Sequence, residues 1–300
     1  MSTPAIAVRD LRKSYGPVAA VRGLSLEVAR GEVFGLLGPN GAGKTTTVEV
    51  LEGYTARSGG EVRVLGEDPG RASRDLRARI GIVLQQGGFY PRVTVREAVA
   101  HVAGVYPSPA DVGETIARVG LEEQADVRVR RLSGGQRRRL DLALALVGDP
   151  ELVFLDEPTT GFDPAARRQA WDAIRALRGT GTTVFLTTHY LEEAQALADR
   201  VAIVKDGRVV AEGPPSSLGA GGPARYRVAY ETDRGPREHL TEDPTGLLHR
   251  LTSEAIAAGR PLEGLSVTRP SLEDVYLELT ANEPAPAPAA GETPRAASRG

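Results

Sequence analysis

Apolar and polar positions along the chain fall into short strand-like and helix-like segments in alternation. Ile6-Ala7-Val8 and Leu24-Ser25-Leu26-Glu27-Val28 have the period of strands with one buried face, and Tyr15-Gly16-Pro17 predicts a turn between them. Glu32-Val33-Phe34-Gly35-Leu36-Leu37, apolar after its first residue, predicts a buried strand; Thr45 to Leu51 predicts the start of a helix, and Gly59 to Leu65 a short strand. Ile80 to Leu84 is another buried strand, ending in Gln85-Gln86-Gly87-Gly88-Phe89-Tyr90. From about residue 88 to 150 the strand pattern disappears, predicting a helical insertion. Within it, Thr94-x-x-Glu97 is a capping box, Ser108-Pro109 predicts a cap with a proline at the first helical position, and Ser133-x-x-Gln136 is a second capping box. Strands return at Glu151 to Leu155, Thr183 to Leu186 and Arg200 to Val204. Asp163-Pro164 caps a helix between the first two, and Asp206-Gly207 closes a hairpin onto Arg208-Val209-Val210.

These elements predict an α/β domain over residues 1–213. Pro214-Pro215 and the glycines up to Pro223 predict a linker over 214–223. Residues 224–280, with strand-like Tyr226 to Tyr230 and a final helix placing Leu272, Val275, Tyr276 and Leu279 on one face, predict a small α+β accessory domain. The Pro/Ala-rich stretch 281–300 predicts a disordered tail.

Composition changes this picture little. A hydrophobic fraction of 41% suits a large core, and a net charge of −2 gives no reason to expect general affinity for nucleic acid or anionic membrane. The absence of cysteine excludes disulfides and thiolate metal sites. No apolar run approaches the roughly 18 residues of a spanning helix, so the chain is expected to be cytoplasmic and to need a partner for any membrane role.

The chemistry is concentrated in a few motifs. Gly38-Pro39-Asn40-Gly41-Ala42-Gly43-Lys44-Thr45, followed by Thr46, matches the phosphate-binding loop pattern and stands between a predicted strand and a predicted helix, the context the motif requires. Its glycines allow backbone N–H groups to approach anionic oxygens, the helix N-terminus adds its dipole, Lys44 would then reach the β and γ phosphates, and the Thr45 hydroxyl would ligate Mg²⁺. The chain's lysines are Lys13, Lys44 and Lys205, its other cations being arginines, so the ammonium at 44 is a selective choice. Asp156 and Glu157 end a buried strand and point in different directions; beside a phosphate loop this predicts Asp156 on Mg²⁺ and Glu157 on water. His189 stands at another strand end, where ligands of open α/β sheets bind, although a structural histidine also fits there. Ser133, Gly134, Gly135 and Gln136 form either a capped helix with loose glycines or a second anion site. Tyr15 is either a packing residue or a stacking platform for a base.

Taken in order, the phosphate loop, Gln85, Leu132-Ser133-Gly134-Gly135-Gln136, Phe154-Leu155-Asp156-Glu157, Thr160-Gly161-Phe162-Asp163 and His189 resemble the ATP-binding subunit of an ABC transporter over residues 5 to about 213. The resemblance implies a P-loop NTPase of the ABC type, with an antiparallel β subdomain and an inserted α-helical subdomain. It implies that Tyr15 stacks on adenine, Gln85 senses Mg²⁺ and the lytic water, Glu157 polarises that water and His189 contacts the γ-phosphate. Ser133 and Gly135 would cover the γ-phosphate held by a second protomer, and Asp163 would belong to the nucleotide site. ATP and Mg²⁺, a homodimer with two composite sites and an integral membrane permease are therefore expected, with no nucleic acid and a location on the inner face of the membrane. Phe162 stands where the family usually has Leu. Phe89 and Tyr90 are expected to line a groove for a permease helix. The C-terminal run Pro270 to Thr280 is similar to the subgroup paired with daunorubicin-resistance-type export permeases. An ABC ATPase acting on DNA or the ribosome is the alternative; its marks would be long heptad runs, cysteine zinc sites or two fused ATPase halves, and the sequence has none of these.

Overall fold

The structure, a computed structural model, describes residues 3–71, 73–83, 91–218, 226–232, 235–260, 262–268, 272, 273 and 276. In chain order the strands and helices are β1 (Ile6–Tyr15), β2 (Val18–Val28), β3 (Val33–Leu37), α1 (Lys44–Leu51), β4 (Gly59–Val64), α2 (Arg74–Ala78), β5 (Ile80–Val83), α3 (Val95–Ala103), α4 (Val112–Arg118), α5 (Gly134–Leu146), β6 (Leu152–Asp156), α6 (Pro164–Leu177), β7 (Thr183–Thr188), α7 (Leu191–Leu197), β8 (Arg200–Lys205), β9 (Arg208–Gly213), α8 (Pro215–Leu218), β10 (Tyr226–Thr232), β11 (Gly235–Thr241), α9 (Pro244–Ala257) and β12 (Glu263–Thr268).

A six-stranded sheet in the order β5-β6-β7-β3-β8-β9 forms the centre, parallel except for the β8–β9 hairpin at one edge. Its inner strands read as unbroken apolar runs because both faces are covered. Val153 and Leu155 of β6, with Val184 and Leu186 of β7, face a cluster that includes Leu140 of α5 and Ile174 of α6. Leu152, Phe154 and Phe185 point to the other side, toward the antiparallel sheet β2-β1-β4 and α1. There Phe34 stacks on Phe185 at 5.7 Å and Phe154 lies tilted against it at 5.8 Å. The period of two thus sorts one strand's residues into two cores.

The helical insertion comprises α3, α4 and α5 between β5 and β6. Both capping boxes form: Thr94 with Glu97, and Ser133 with Gln136. Ser108-Pro109 starts no helix. Asp111 caps α4 instead, accepting from the Glu114 N–H, and the preceding Ala110 N–H is tied to Val147 O at 2.8 Å.

Part of the expected linker is structured, since α8 seats Leu218 in a cluster with Leu37, Ala194, Ala198, Val201 and Ile203. Leu272 is buried in the same cluster and Tyr276 packs against it, so these residues of the expected accessory domain rest on the core of the first domain. The third sheet, β11-β10-β12, stands with α9 and buries Val228 and Tyr230. Helix α9 went unread in the sequence although Asp243-Pro244 repeats the signal of Asp163-Pro164; none of its residues is buried, so its apolar pattern is weak. Residues 281–300 lie outside the described residues.

Candidate nucleotide site

The turn between β3 and α1 is packed backbone against backbone, which is why it needs glycine. A Cβ at Gly38 would stand 2.5 Å from Val204 O, and at Gly43, where φ is 98°, 2.5 Å from Ala20 O. The β8–β9 turn is wedged beside the loop: Gly207 N–H donates to Ala42 O at 3.0 Å, and Gly207 O accepts from Arg22 N–H at 2.8 Å. The strand ends and the hairpin therefore fix the loop before any ligand arrives.

Lys44 folds back into its own loop, donating to Gly38 O at 2.9 Å and Pro39 O at 3.2 Å, with only 5% of its side chain exposed. Burial pushes its ammonium below the ordinary value, opposed by Glu157 and Asp156. Glu157 Oε1 lies 3.7 Å from Lys44 Nζ and 3.2 Å from His189 Nδ1, while Thr160 donates to Glu157 Oε2 at 3.2 Å. His189 Nδ1 is buried and, among the described residues, finds no aligned hydrogen-bond partner despite that proximity.

Beside Glu157, Asp156 Oδ1 accepts from the Thr187 hydroxyl at 2.5 Å, and the same hydroxyl accepts from Glu157 N–H at 3.0 Å. Two adjacent carboxylates are thereby turned apart: Asp156 is tied to β7, and Glu157 faces the cavity. Glu157 has a φ of 46°, a left-handed conformation uncommon for a residue with a side chain.

A cavity of about 750 Å³ joins Tyr15, Ala20, Asn40, Gly41, Gly43, Lys44, Thr45, Thr46, Glu157, Thr160 and His189. Tyr15 is 47% exposed, with Lys13 Nζ 4.6 Å from its ring centroid. The chain thus brings an exposed aromatic, a glycine cradle, a buried ammonium and an acid–imidazole pair around one space. Ser133, Gly134, Gly135 and Gln136 do not line it; they begin α5, with Gly135 against Ala166 of α6. Asp163 does not line it either, because its Oδ1 caps α6 by accepting from Ala165 and Ala166 N–H, both at 2.9 Å. Gln85, Phe89 and Tyr90 lie outside the described residues. The sequence names Thr160 in a motif without giving it a role, and it gives no notice of Thr187, for which the available signal is a polar pair, Thr187-Thr188, ending an apolar strand just before His189.

The residues fit a magnesium nucleotide. The cradle admits no Cβ at Gly43, the imidazole nitrogen lacks an aligned partner among the described residues, and Thr45 and Asp156 supply hard oxygen donors. Among the described residues no group of three or more His, Cys, Asp or Glu is arranged to hold a metal, so such an ion would depend on phosphate oxygens as well.

Comparison with known proteins agrees. Residues 21–160 match the family model described as ABC transporter. The chain is 42% identical to Nod factor export ATP-binding protein I of Paraburkholderia xenovorans (strain LB400), over 94% of this chain and 99% of that one. It is 39% identical to daunorubicin resistance ATP-binding protein DrrA3 of Streptomyces coeruleorubidus, over 94% and 98%. Among solved structures, cbiO1 from Clostridium perfringens, part of the ABC transporter complex cbiONQ, superposes with a TM-score of 0.67 at 29% identity, covering 73% of this chain and 92% of that one. The ATP-binding cassette MJ0796, solved as a dimer in a post-hydrolysis state with ADP and Pi, superposes with a TM-score of 0.62 at 25% identity, over 70% and 98%. The chain belongs to the ABC transporter family and is one of its ATP-hydrolysing cassettes.

Proposed function

We propose that this chain energises export of a small molecule, two copies closing on two ATP molecules and reopening on hydrolysis. The observation that carries the dimer is the separation of two anion-binding helix starts. The phosphate loop lines the cavity, whereas Ser133 starts α5 outside it, so one chain holds only half of each proposed site. The cassette MJ0796, solved as a dimer, supports this arrangement.

In each site Lys44 and the loop N–H groups bind the phosphates, and Tyr15 stacks on the base. Thr45 and Asp156 would hold Mg²⁺, which supplies neutralising charge to the phosphate oxygens when bound. Glu157 accepts a hydrogen bond from the water that attacks the γ-phosphorus, and His189 holds the γ-phosphate in line. Gln85 would serve the same ion, as the resemblance implies, while Ser133 and Gly135 of the second copy would close over the γ-phosphate. Hydrolysis breaks the bond to the β-phosphate bridging oxygen and removes the group that joins the two copies.

The names of the two similar relatives support export as the direction. The DNA or ribosome reading has no observation in its favour. No helix among the described residues is long and apolar enough to cross a membrane. The proposed partner is a separate integral membrane permease that carries the transported molecule. A groove of about 390 Å³ lined by Tyr54, Ile80, Ile82, Val102 and Tyr106, between the central sheet and the helical insertion, suits a helix of that permease; Tyr54 is 66% exposed.

The test is Glu157→Gln, which keeps the size of the side chain but removes the base, lowering turnover by roughly 10² to 10⁴. Light scattering should find a dimer with ATP and Mg²⁺ that dissociates on adding a chelator and fails to form when Ser133→Phe is added. A variant that binds ATP yet stays monomeric overturns the composite site.

A further inference from the structure

The peptide unit joining Asp156 to Glu157 is gripped at both ends by side chains from different elements. Its N–H, that of Glu157, donates to the Thr187 hydroxyl at 3.0 Å and to Thr187 O at 3.2 Å. Its carbonyl, that of Asp156, accepts from Arg138 Nη2 at 3.1 Å, and Arg138 Nε donates to Pro158 O, also at 3.1 Å. One guanidinium therefore spans Glu157, holding the carbonyls on either side of it. The next residue is fixed as well: Thr159 donates to the buried Glu193 of α7 at 2.7 Å.

Glu157 sits in this bracket with φ at 46°. A side-chain residue stays in that region only where its surroundings over-determine it. β7 and α7 supply part of the constraint from within the core. Arg138 supplies the rest from α5, the helix that begins at Ser133. A buried cation usually answers to a carboxylate, and Asp141 is near, yet Arg138 Nη1 to Asp141 Oδ2 is 3.5 Å, longer than either carbonyl contact. Asp141 is itself a weakened partner, burial having pushed its carboxyl up to about 6 against the pull of Arg138. Its two contacts to the turn that carries Glu157, both at 3.1 Å, are thus shorter than its contact to Asp141.

We propose that Arg138 is a positioning residue for ATP hydrolysis: by bridging the carbonyls of Asp156 and Pro158 it holds Glu157 in its left-handed conformation and ties that carboxylate to the helix led by Ser133. When a second copy's nucleotide engages the start of α5, any shift of that helix reaches Glu157 through one rigid planar group. The inference rests on the reading of Glu157 as the residue that orients the attacking water.

The experiment uses the purified full-length chain and four variants. Arg138→Met removes all the donors at similar length. Because it also strands Asp141, the double variant Arg138→Met/Asp141→Leu replaces the whole buried pair by apolar groups, a change that buried ion pairs often tolerate. Arg138→Lys keeps the charge but lacks the planar fork that reaches two carbonyls. Glu157→Gln is the control. With the double variant's unfolding midpoint near the wild-type value, kcat should fall about tenfold or more while KM for ATP stays within about threefold, the mark of an interaction made in the transition state. Arg138→Lys should lose about threefold or more in kcat at unchanged KM. Wild-type kcat in the folded double variant, or in Arg138→Lys, overturns the proposal, as does a loss that appears wholly in KM. If Glu157→Gln hydrolyses ATP normally, the underlying reading of Glu157 fails instead, so the two failures are separable.

Discussion

Replacing Thr187 by Val tests how the two carboxylates are held, with almost no change of shape. The hydroxyl donates to Asp156 Oδ1 at 2.5 Å and accepts from Glu157 N–H at 3.0 Å, and the side chain is fully buried. Val leaves Asp156 without its donor, a hydrogen bond to a charged group worth about 1.5–3 kcal/mol. Glu157 N–H is not orphaned, because Thr187 O remains 3.2 Å away. The full cost of an unsatisfied amide therefore does not apply, and about 2 kcal/mol of stability should be lost rather than about 4. Urea unfolding should show this as a lower midpoint at unchanged slope. Turnover should fall about tenfold and need more Mg²⁺ for half-maximal rate, since both acidic groups lose part of their orientation. Thr187→Ser is the control: it removes one methyl group, costing about 1 kcal/mol, and keeps the hydroxyl and with it the turnover. If the Val and Ser variants match in both stability and turnover, Thr187 holds nothing through its hydroxyl and the argument is refuted.

Lys44→Ala should abolish ATP turnover while the circular dichroism of the fold persists; normal hydrolysis would remove the phosphate-loop assignment. Glu52, at the end of α1, has its carboxyl raised to about 8 by burial, then by Asp156 and Glu49. Its folded state thus binds a proton that the unfolded chain has released above about pH 4.3, so its contribution to stability falls as pH rises from there to about 8. Glu52→Gln should accordingly raise the thermal midpoint more at pH 9 than at pH 5, and equal gains at both would count against the buried acid. Leu272→Ala should cost about 2–4 kcal/mol in urea unfolding, because Leu272 is buried against Leu37 and Val201; a loss under about 0.5 kcal/mol, the range of ordinary surface changes, would detach that segment from the core. Tyr54→Asp should abolish co-purification with the permease while leaving basal ATP hydrolysis intact, and undiminished capture would place the docking groove elsewhere.

What could be read in the sequence was whatever local chemistry decides. The β3 strand, its glycine turn and α1 were legible because burial, φ and phosphate geometry each demand particular residues at fixed spacing. The capping boxes at Thr94 and Ser133 close within three residues, so their signal lies in the local string. Ser108-Pro109 failed because Asp111 with Glu114, three residues on, offered a competing start, and the tie from Ala110 to Val147 decided between them. Asp163 was placed at the nucleotide on resemblance, while its carboxylate is committed to capping α6. Thr187, Arg138 and Glu193 were silent because each works on a turn brought near only by the sheet; Thr187 acts on Asp156 across 31 positions and Glu193 on Thr159 across 34. Leu272 was read as part of a helix face, but nothing in that face said which surface it would meet.

The hairpin turn Asp206-Gly207 has a practical consequence for anyone placing a tag or reporter in this chain. Hairpin tips are ordinarily where insertions are tolerated. This one has no slack: a Cβ at Gly207 would sit 2.7 Å from Ala20 O, and its own N–H and carbonyl are spent on Ala42 and Arg22. A fusion there would lever the phosphate loop away from β2 and silence the motor while leaving both sheets folded. The bend at Gly259, after α9, has open space where a side chain would go and lies in the small C-terminal sheet unit, which makes it the better place to cut the chain and sew something in.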